Sequence, residues 1–153
     1  PEQFASLLRA DIASRVVLEL TEHVPVEDYD LINAAADKFR KRGGRIAVDD
    51  MGSGYAGFRH LISLQPDIVK LDISLTRDID RDPSRRALVS ALVHFSADTG
   101  AELIAEGIET AGELSTLRQL RVGWGQGYHL GRPGALSNVL GNHSAGTRLP
   151  STG

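Results

Sequence analysis

Short apolar stretches recur along this chain at intervals of roughly 20 to 35 residues, which is the spacing of one strand, one helix and their connections. Each stretch is rich in Val, Ile and Leu and is too short to form a helix of its own. These features are typical of buried strands in a parallel sheet. We predict strands at residues 16–20, 45–49, 67–71, 102–105 and about 125–129.

Apolar residues at helical spacing occupy the segments between the predicted strands. Helices are expected at about residues 2–12, 25–42, 57–64, 83–100 and 111–120. The long fourth helix has clear end signals, because Asp82-Pro83 precedes it and Gly100 follows it. The chain is therefore predicted to be an α/β protein in which strands and helices alternate.

The number of strand–helix units limits the possible folds. A complete eight-fold β/α barrel normally needs roughly 200 residues or more, and this chain has 153. Five β/α units fit either a five-stranded open sheet or the last part of a larger barrel. The first predicted element is a helix with no strand before it, which favours the barrel.

Composition excludes several classes of protein. With 41% hydrophobic and 24% charged residues, neither a disordered nor a membrane protein is indicated. A net charge of -3 argues against binding to nucleic-acid polymers. The absence of cysteine excludes disulfides and thiolate metal ligands, and the five histidines show no metal-ligand spacing. We expect no signal peptide or membrane segment, so the cytoplasm is the default location.

Charged residues follow the apolar stretches, at the predicted carboxyl ends of the strands. They are Glu19 and Glu22, Asp49 and Asp50, Lys70 and Asp72, and Glu106 and Glu109. Ligands bind at this edge in open α/β sheets and in β/α barrels, because the loops converge there. The layout is that of a metal-dependent active site, and carboxylate oxygens favour Mg²⁺ or Mn²⁺ over zinc. The structural alternative for Asp49 and Asp50 is a cap or turn pair before Gly52.

Five motifs occur in order between residues 16 and 133: LELTE, DDMGSGY, KLD, AEGIET and GQGYHLGRP. They resemble the EAL domain family, whose active members are cyclic di-GMP phosphodiesterases with a β/α (TIM-like) barrel. The resemblance implies that the chain carries about the last five β/α units. Active relatives also take metal ligands from the EAL tripeptide and from an asparagine at the end of the third barrel strand, and neither motif position is in this sequence. We expect residues 1–140 to form a partial EAL domain and residues 141–153 to form a disordered tail.

The resemblance also implies two divalent cations, Mg²⁺ or Mn²⁺, in the intact domain. Glu19 and Asp49 match ligands of the first cation, and Asp49 bridges to a second cation that Asp50 also binds. Glu106 matches the catalytic carboxylate, acting as a general base or as a further metal-site ligand. Lys70 is expected to orient the attacking water or to neutralise a phosphate oxygen, and a salt bridge to a neighbouring acid is the alternative. Asp50 is counted with Glu106 and Lys70 among the catalytic residues.

Residues outside the metal and catalytic positions also match the family. Gln126 matches a glutamine that contacts guanine, and Arg132 is expected to bind phosphate or to pair with an acid. Glu22, Asp72 and Glu109 are expected to hold the glycine-rich loop and the metal ligands in place, with solvated loop acids as the alternative.

The glycine-rich loop departs from the family at two positions. Met51 stands where an aromatic residue is usual, and Ser53 stands where threonine is usual. Ser53 keeps a hydroxyl, but Met51 lacks a rigid ring, so the loop is expected to be less ordered. In the family this loop links the metal site to a dimer interface, and a homodimer is the expected assembly.

Three functions remain open from the sequence. The first is hydrolysis of cyclic di-GMP to linear pGpG by two-metal catalysis. The second is an inactive EAL module that binds nucleotide or acts as a regulatory protein. The third is a remnant without function, whose exposed strand edges would make it prone to aggregate.

Overall fold

The structure is a computed structural model that describes residues 10–21, 28–52, 57–133 and 147–149. The helices are α1 (Ala10–Ala13), α2 (Tyr29–Arg40), α3 (Gly57–Leu64), α4 (Ile73–Thr76), α5 (Pro83–Thr99) and α6 (Ala111–Gln119). The strands are β1 (Val17–Thr21), β2 (Arg45–Met51), β3 (Ile68–Leu71), β4 (Glu102–Ala105), β5 (Trp124–Gly125) and β6 (Thr147–Arg148). The chain divides into two compact units, Pro1–Val69 and Lys70–Gly153, and the division falls within β3.

In the first unit, one face of a parallel strand pair forms an apolar core with α2. β1 and β2 pair in parallel, with Leu18 opposite Ile46. Ile46 is buried in a cluster with Ala36 and Phe39 of α2, and Leu18 and Leu20 pack against that cluster. Burial of these apolar side chains holds α2 against this face, so the other face of the pair is available for polar groups.

A network around Arg40 ties the end of α2 to the start of β2. The Arg40 Nε donates to Asp67 Oδ2 at 3.1 Å, and its Nη2 donates to the carbonyl oxygens of Leu64 and Gln65 at 3.2 and 2.7 Å. Asp67 Oδ2 also accepts a hydrogen bond from the backbone N–H of Ile46 at 2.8 Å. One carboxylate therefore joins a helix end to a strand.

In the second unit, β4 and β5 pair in parallel, with Ala105 opposite Gly125. The long helix α5 begins at Asp82, whose side chain accepts hydrogen bonds from two backbone N–H groups, and it ends at Gly100 with a φ of 79°. This left-handed conformation suits glycine and stops the helix. The core of the unit includes the buried residues Val89, Leu92, Leu103 and Leu117.

The structure confirms most of the predicted elements within two residues of their expected ends. The predicted helices at 57–64 and 83–100 correspond to α3 and α5, and the predicted strand at 102–105 is β4. The first part of the helix predicted at 2–12 lies outside the described residues. No helix in the described ranges is both long and apolar enough to cross a membrane.

The second unit differs from the prediction at two places: one helix was not predicted, and one predicted strand is too long. The sequence pattern did not predict α4, which starts because the Asp72 side chain caps it by accepting from Ser74 N–H. The last predicted strand is shorter than expected, since β5 ends at Gly125. Beyond it the chain turns, with His129 N–H donating to the Ile108 carbonyl oxygen at 3.0 Å and Leu130 N–H to that of Gly127 at 3.0 Å.

Part of the segment expected to be a disordered tail is a strand. β6 pairs antiparallel with β5, with Thr147 opposite Gly125. Leu149 is only 5% exposed, and its N–H donates to the Gly123 carbonyl oxygen at 2.8 Å. The expectation was wrong at this position because one apolar side chain and an open strand edge suffice to hold a short strand. The rest of residues 141–153 lies outside the described residues.

Candidate active site

In the first unit, Glu19 and Asp49 lie on the same face of the β1–β2 pair. Glu19 is opposite Ala47 and Thr21 is opposite Asp49 in the strand register. Residues two apart in a strand share a face, so the two carboxylates lie on one side of the pair. Leu18 packs against α2 on the opposite face of the pair. Both acids therefore lie outside this apolar core.

Asp50 follows Asp49 with an unusual backbone conformation. Its φ is 57°, in the left-handed region, which aspartate enters more readily than most residues. The Asp50 N–H donates to Asp49 Oδ1 at 3.0 Å. This local bond joins two neighbouring residues near the carboxyl end of β2, which runs to Met51. Both side chains are only partly buried.

The second unit brings together three predicted site residues that are far apart in sequence. Lys70 Nζ lies 3.0 Å from Glu106 Oε1, and the two side chains are only 15% and 19% exposed. The Gln126 side-chain amide donates to the same oxygen at 2.6 Å. One carboxylate oxygen thus receives an ammonium and an amide donor. We call Lys70, Glu106 and Gln126 the carboxylate cluster.

Backbone hydrogen bonds fix Glu106 and Gln126 at the ends of their strands. Glu106 N–H donates to the Leu71 carbonyl oxygen at 3.1 Å, and Gln126 N–H donates to the Ala105 carbonyl oxygen at 2.8 Å. The hydroxyl of Thr76 donates to the Glu106 carbonyl oxygen. The backbone of the cluster is therefore held on both sides of Glu106.

The other predicted residues of this unit make contacts outside the cluster. Asp72 caps α4, and Glu109 Oε2 forms an ion pair with Arg77 Nη2 at 2.8 Å. The Arg132 guanidinium carbon lies 4.5 Å from the centre of the Tyr128 ring, a cation–π geometry. Arg132 is exposed, as is Tyr128.

Two of the predicted positions, Glu22 after β1 and Ser53 of the glycine-rich loop, lie outside the described residues. Met51 is described and is 1% exposed. The methionine that replaces the usual aromatic residue therefore packs as a core side chain at the end of β2.

Sequence reasoning missed one buried acid, Glu113. It is 3% exposed and accepts hydrogen bonds from the backbone N–H groups of Glu109, Thr110 and Asp78 at 2.8, 2.9 and 3.0 Å. Burial raises the pKa of Glu113, but these hydrogen bonds outweigh it and hold the pKa below its ordinary value of 4.5. A signal for this residue was present, because Thr110 and Glu113 have the spacing of a capping box, which α6 forms.

The donor set of the first unit fits a hard divalent cation. Glu19, Asp49 and Asp50 are carboxylates, and oxygen ligands of this kind suit Mg²⁺ and Mn²⁺. The chain has no cysteine, so it offers no thiolate ligand to a softer metal ion. The chemistry of these side chains therefore agrees with the predicted type of cation.

Comparison with known proteins identifies the family. The family model of the EAL domain matches residues 1–133. The chain is 34% identical over 120 residues to the cyclic di-GMP phosphodiesterase PA2567 of Pseudomonas aeruginosa, a match that covers 78% of this chain and 20% of that protein. The chain thus spans about a fifth of the length of this curated relative.

Solved structures agree with this assignment. A standalone EAL protein from Vibrio cholerae O395 in its c-di-GMP-bound form matches with a TM-score of 0.74 and 32% identity, over 80% of this chain and 52% of that one. BlrP1 of Klebsiella pneumoniae, in complex with manganese and cyclic di-GMP, matches with a TM-score of 0.74 and 33% identity, over 85% of this chain and 32% of that one. These matches confirm the predicted fold class, an α/β fold of the β/α barrel type. The chain therefore belongs to the EAL domain family.

Proposed function

We propose that this chain is part of a phosphodiesterase domain that hydrolyses cyclic di-GMP to linear pGpG. The observation that supports this most directly is the carboxylate cluster, in which Lys70 and Gln126 both contact Glu106. A general base, a cation for phosphate and an amide for a nucleobase edge are the side chains that such a reaction needs. The named activity of the Pseudomonas aeruginosa relative supports the same assignment.

Glu19, Asp49 and Asp50 are the residues that would hold the divalent cations. Bound Mg²⁺ or Mn²⁺ supplies Lewis acidity toward the phosphodiester and lowers the pKa of a coordinated water. The shared face of Glu19 and Asp49 and the adjacent position of Asp50 support this role. The manganese complex of BlrP1 supports the choice of metal.

The residues of the cluster have distinct tasks in this proposal. Glu106 accepts a proton from the attacking water as the water oxygen bonds to phosphorus. The bond from phosphorus to the 3′ oxygen breaks and its electron pair goes to that oxygen, which takes up a proton from solvent to give the linear dinucleotide, while Glu106 returns its proton to solvent. Lys70 holds Glu106 and offsets the negative charge of the phosphate, while Gln126 joins Glu106 to the guanine. Arg132 binds a phosphate oxygen beyond the cluster.

We also propose that the chain assembles as a homodimer. Phe58 and Ile62 are one turn apart on α3 and are 53% and 73% exposed. Large apolar side chains at this spacing make a continuous apolar stripe on a helix, and a stripe of this kind is typical of an interaction surface. A cytoplasmic location is part of the proposal.

Incubation of the full chain with cyclic di-GMP and Mn²⁺, followed by chromatography, tests the function. The proposal predicts the linear product. Cyclic di-GMP that is bound but not cleaved would instead assign the chain to the inactive binding modules. A chain that neither binds nor cleaves the nucleotide would contradict both functions.

A further inference from the structure

Glu113 accepts more hydrogen bonds than a helix cap requires. In a capping box, the side chain at this position accepts one bond, from the N–H of the capping residue, which here is Thr110. Glu113 also accepts from Glu109 N–H at 2.8 Å and, with its other oxygen, from Asp78 N–H at 3.0 Å. The side chain is 3% exposed, so all three bonds lie in a site that excludes water.

The three donors come from two different loops. Asp78 belongs to the segment that follows β3, and Glu109 and Thr110 belong to the segment that follows β4. Two more contacts join the same segments: the ion pair of Arg77 with Glu109 at 2.8 Å, and the hydrogen bond from Thr76 to the Glu106 carbonyl oxygen. Glu113 is the buried charged residue of this set, at 3% exposure, and its single charge satisfies backbone groups of both loops.

These loops lead directly to the carboxylate cluster. Glu106 begins the loop after β4, and Ile108 lies between it and Glu109. Ile108 N–H donates to the Gln126 carbonyl oxygen at 3.1 Å. A continuous path of bonds therefore runs from Glu113 through Glu109 and Ile108 to the backbone of Gln126.

We propose that Glu113 is a positioning residue for the reaction at the carboxylate cluster, acting by holding the loop that places Glu106 and Gln126 against each other. This inference rests on the proposed function, because it concerns the same site. In the described part of the chain no hydrogen bond or ion pair joins Glu113 to Lys70, Glu106 or Gln126, so its effect passes through the backbone of residues 106–110. Residues of this kind typically change activity by about 10-fold to 100-fold when they are replaced.

Three variants separate positioning from helix capping. Glu113→Gln keeps the shape of the side chain but removes the charge and turns one acceptor into a donor that faces backbone N–H groups. Thr110→Ala removes the other half of the capping box, the Glu113 N–H bond to Thr110 Oγ1 at 3.2 Å, and leaves the three bonds to the Glu113 carboxylate in place. Asp98→Asn, on an exposed position of α5, makes the same charge change elsewhere in the unit.

The readout is the ¹H–¹⁵N spectrum of the full chain, in which the side-chain amide signals of Gln126 report its bond to Glu106. Gln126→Leu assigns these signals. We expect Glu113→Gln to shift them and to lower kcat/KM about tenfold, while Thr110→Ala and Asp98→Asn leave them in place. Unchanged Gln126 signals in a folded Glu113→Gln protein would overturn the proposal. An equal shift in Thr110→Ala would also overturn it, because capping alone would then explain the effect.

Arg77→Gln keeps the proposal testable if Glu113→Gln does not fold. This variant removes the ion pair to Glu109, in which the two side chains are 50% and 41% exposed, so the core is not disturbed. A shift of the Gln126 signals in the same direction is expected, and no shift would count against the proposal. The spectra do not depend on turnover, so a chain that fails to cleave cyclic di-GMP contradicts the proposed function without deciding the role of Glu113.

Discussion

The side-chain amide of Gln126 donates a hydrogen bond to Glu106 Oε1 at 2.6 Å. The same oxygen lies 3.0 Å from Lys70 Nζ. The family resemblance assigns these residues separate tasks, since Gln126 is matched to a guanine contact and Glu106 to the reacting water. In the proposed function the bond between them joins the two tasks, because a movement of Gln126 on the nucleobase would also move the carboxylate. Substrate recognition and catalysis are therefore expected to be coupled.

Replacement of Gln126 tests this coupling. Gln126→Leu removes the amide donor to Glu106 Oε1 and is expected to lower kcat itself, by about 10-fold to 100-fold. A residue that only bound guanine would mainly raise KM. The measurement is steady-state turnover of cyclic di-GMP. Gln119→Leu, at an exposed position of α6, is the matched control and should behave as the unmodified chain does.

The exposed stripe on α3 makes a prediction about assembly. Ile62→Lys places a charge on a side chain that is 73% exposed, so the folded monomer tolerates it, but a charge buried in an interface is costly. Analytical ultracentrifugation is expected to show a dimer for the unmodified chain and a monomer for Ile62→Lys. Ile12→Lys, at a position that is 46% exposed on α1, is the control and should remain dimeric. A monomeric unmodified chain would contradict the proposed homodimer.

The lowered pKa of Glu113 predicts how stability depends on pH. Since the pKa in the folded chain lies below the ordinary value of 4.5, the ionised group stabilises the fold above that pH. The stabilisation is lost as the pH falls through the lowered pKa of the folded state. Urea unfolding between about pH 6 and pH 3.5 should therefore show a steeper loss of stability for the unmodified chain than for Glu113→Gln. Equal slopes in the two proteins would be inconsistent with this role.

Gly127 occupies a position that other residues cannot enter without strain. Its φ is 156°, and a Cβ atom there would overlap the backbone nitrogen and oxygen of Ile108. We expect Gly127→Ala to destabilise the chain by about 1–3 kcal/mol, because either the backbone or Ile108 must move. Gly131 has nothing within 4 Å of such an atom, so Gly131→Ala should change the stability by less than about 0.5 kcal/mol. Chemical denaturation of both variants makes the comparison.

The sequence predicted the alternation of strands and helices because both leave a periodic apolar pattern. It also predicted that Lys70 and Glu106 lie at strand ends, where loops converge. The pattern could not predict α4, since four residues are too few to show a helical period and the element depends on the Asp72 cap. β6 was missed for a similar reason: its segment is short and polar, and the burial of Leu149 leaves no periodic apolar pattern in the sequence.

The contacts of the site were harder to predict than its residues. The sequence allowed a salt bridge between Lys70 and a neighbouring acid but did not identify that acid. Glu106 is the partner because the carboxyl ends of β3 and β4 bring the two side chains together. Glu113 shows the opposite case. Its capping-box spacing with Thr110 was visible in the sequence, but the bond from Asp78 N–H is not, because that donor is 35 residues away.

The proposed phosphodiesterase activity is best tested by the rate of pGpG formation from cyclic di-GMP with Mn²⁺, measured for the full chain and for two variants. Asp49→Asn removes a charge from a predicted metal ligand, and Asp98→Asn removes one from an exposed helix position. We expect product with the unmodified chain and with Asp98→Asn, no product with Asp49→Asn, and loss of all activity when the metal is chelated. Full turnover by Asp49→Asn would contradict the metal assignment, and no product from the unmodified chain would contradict the proposed activity.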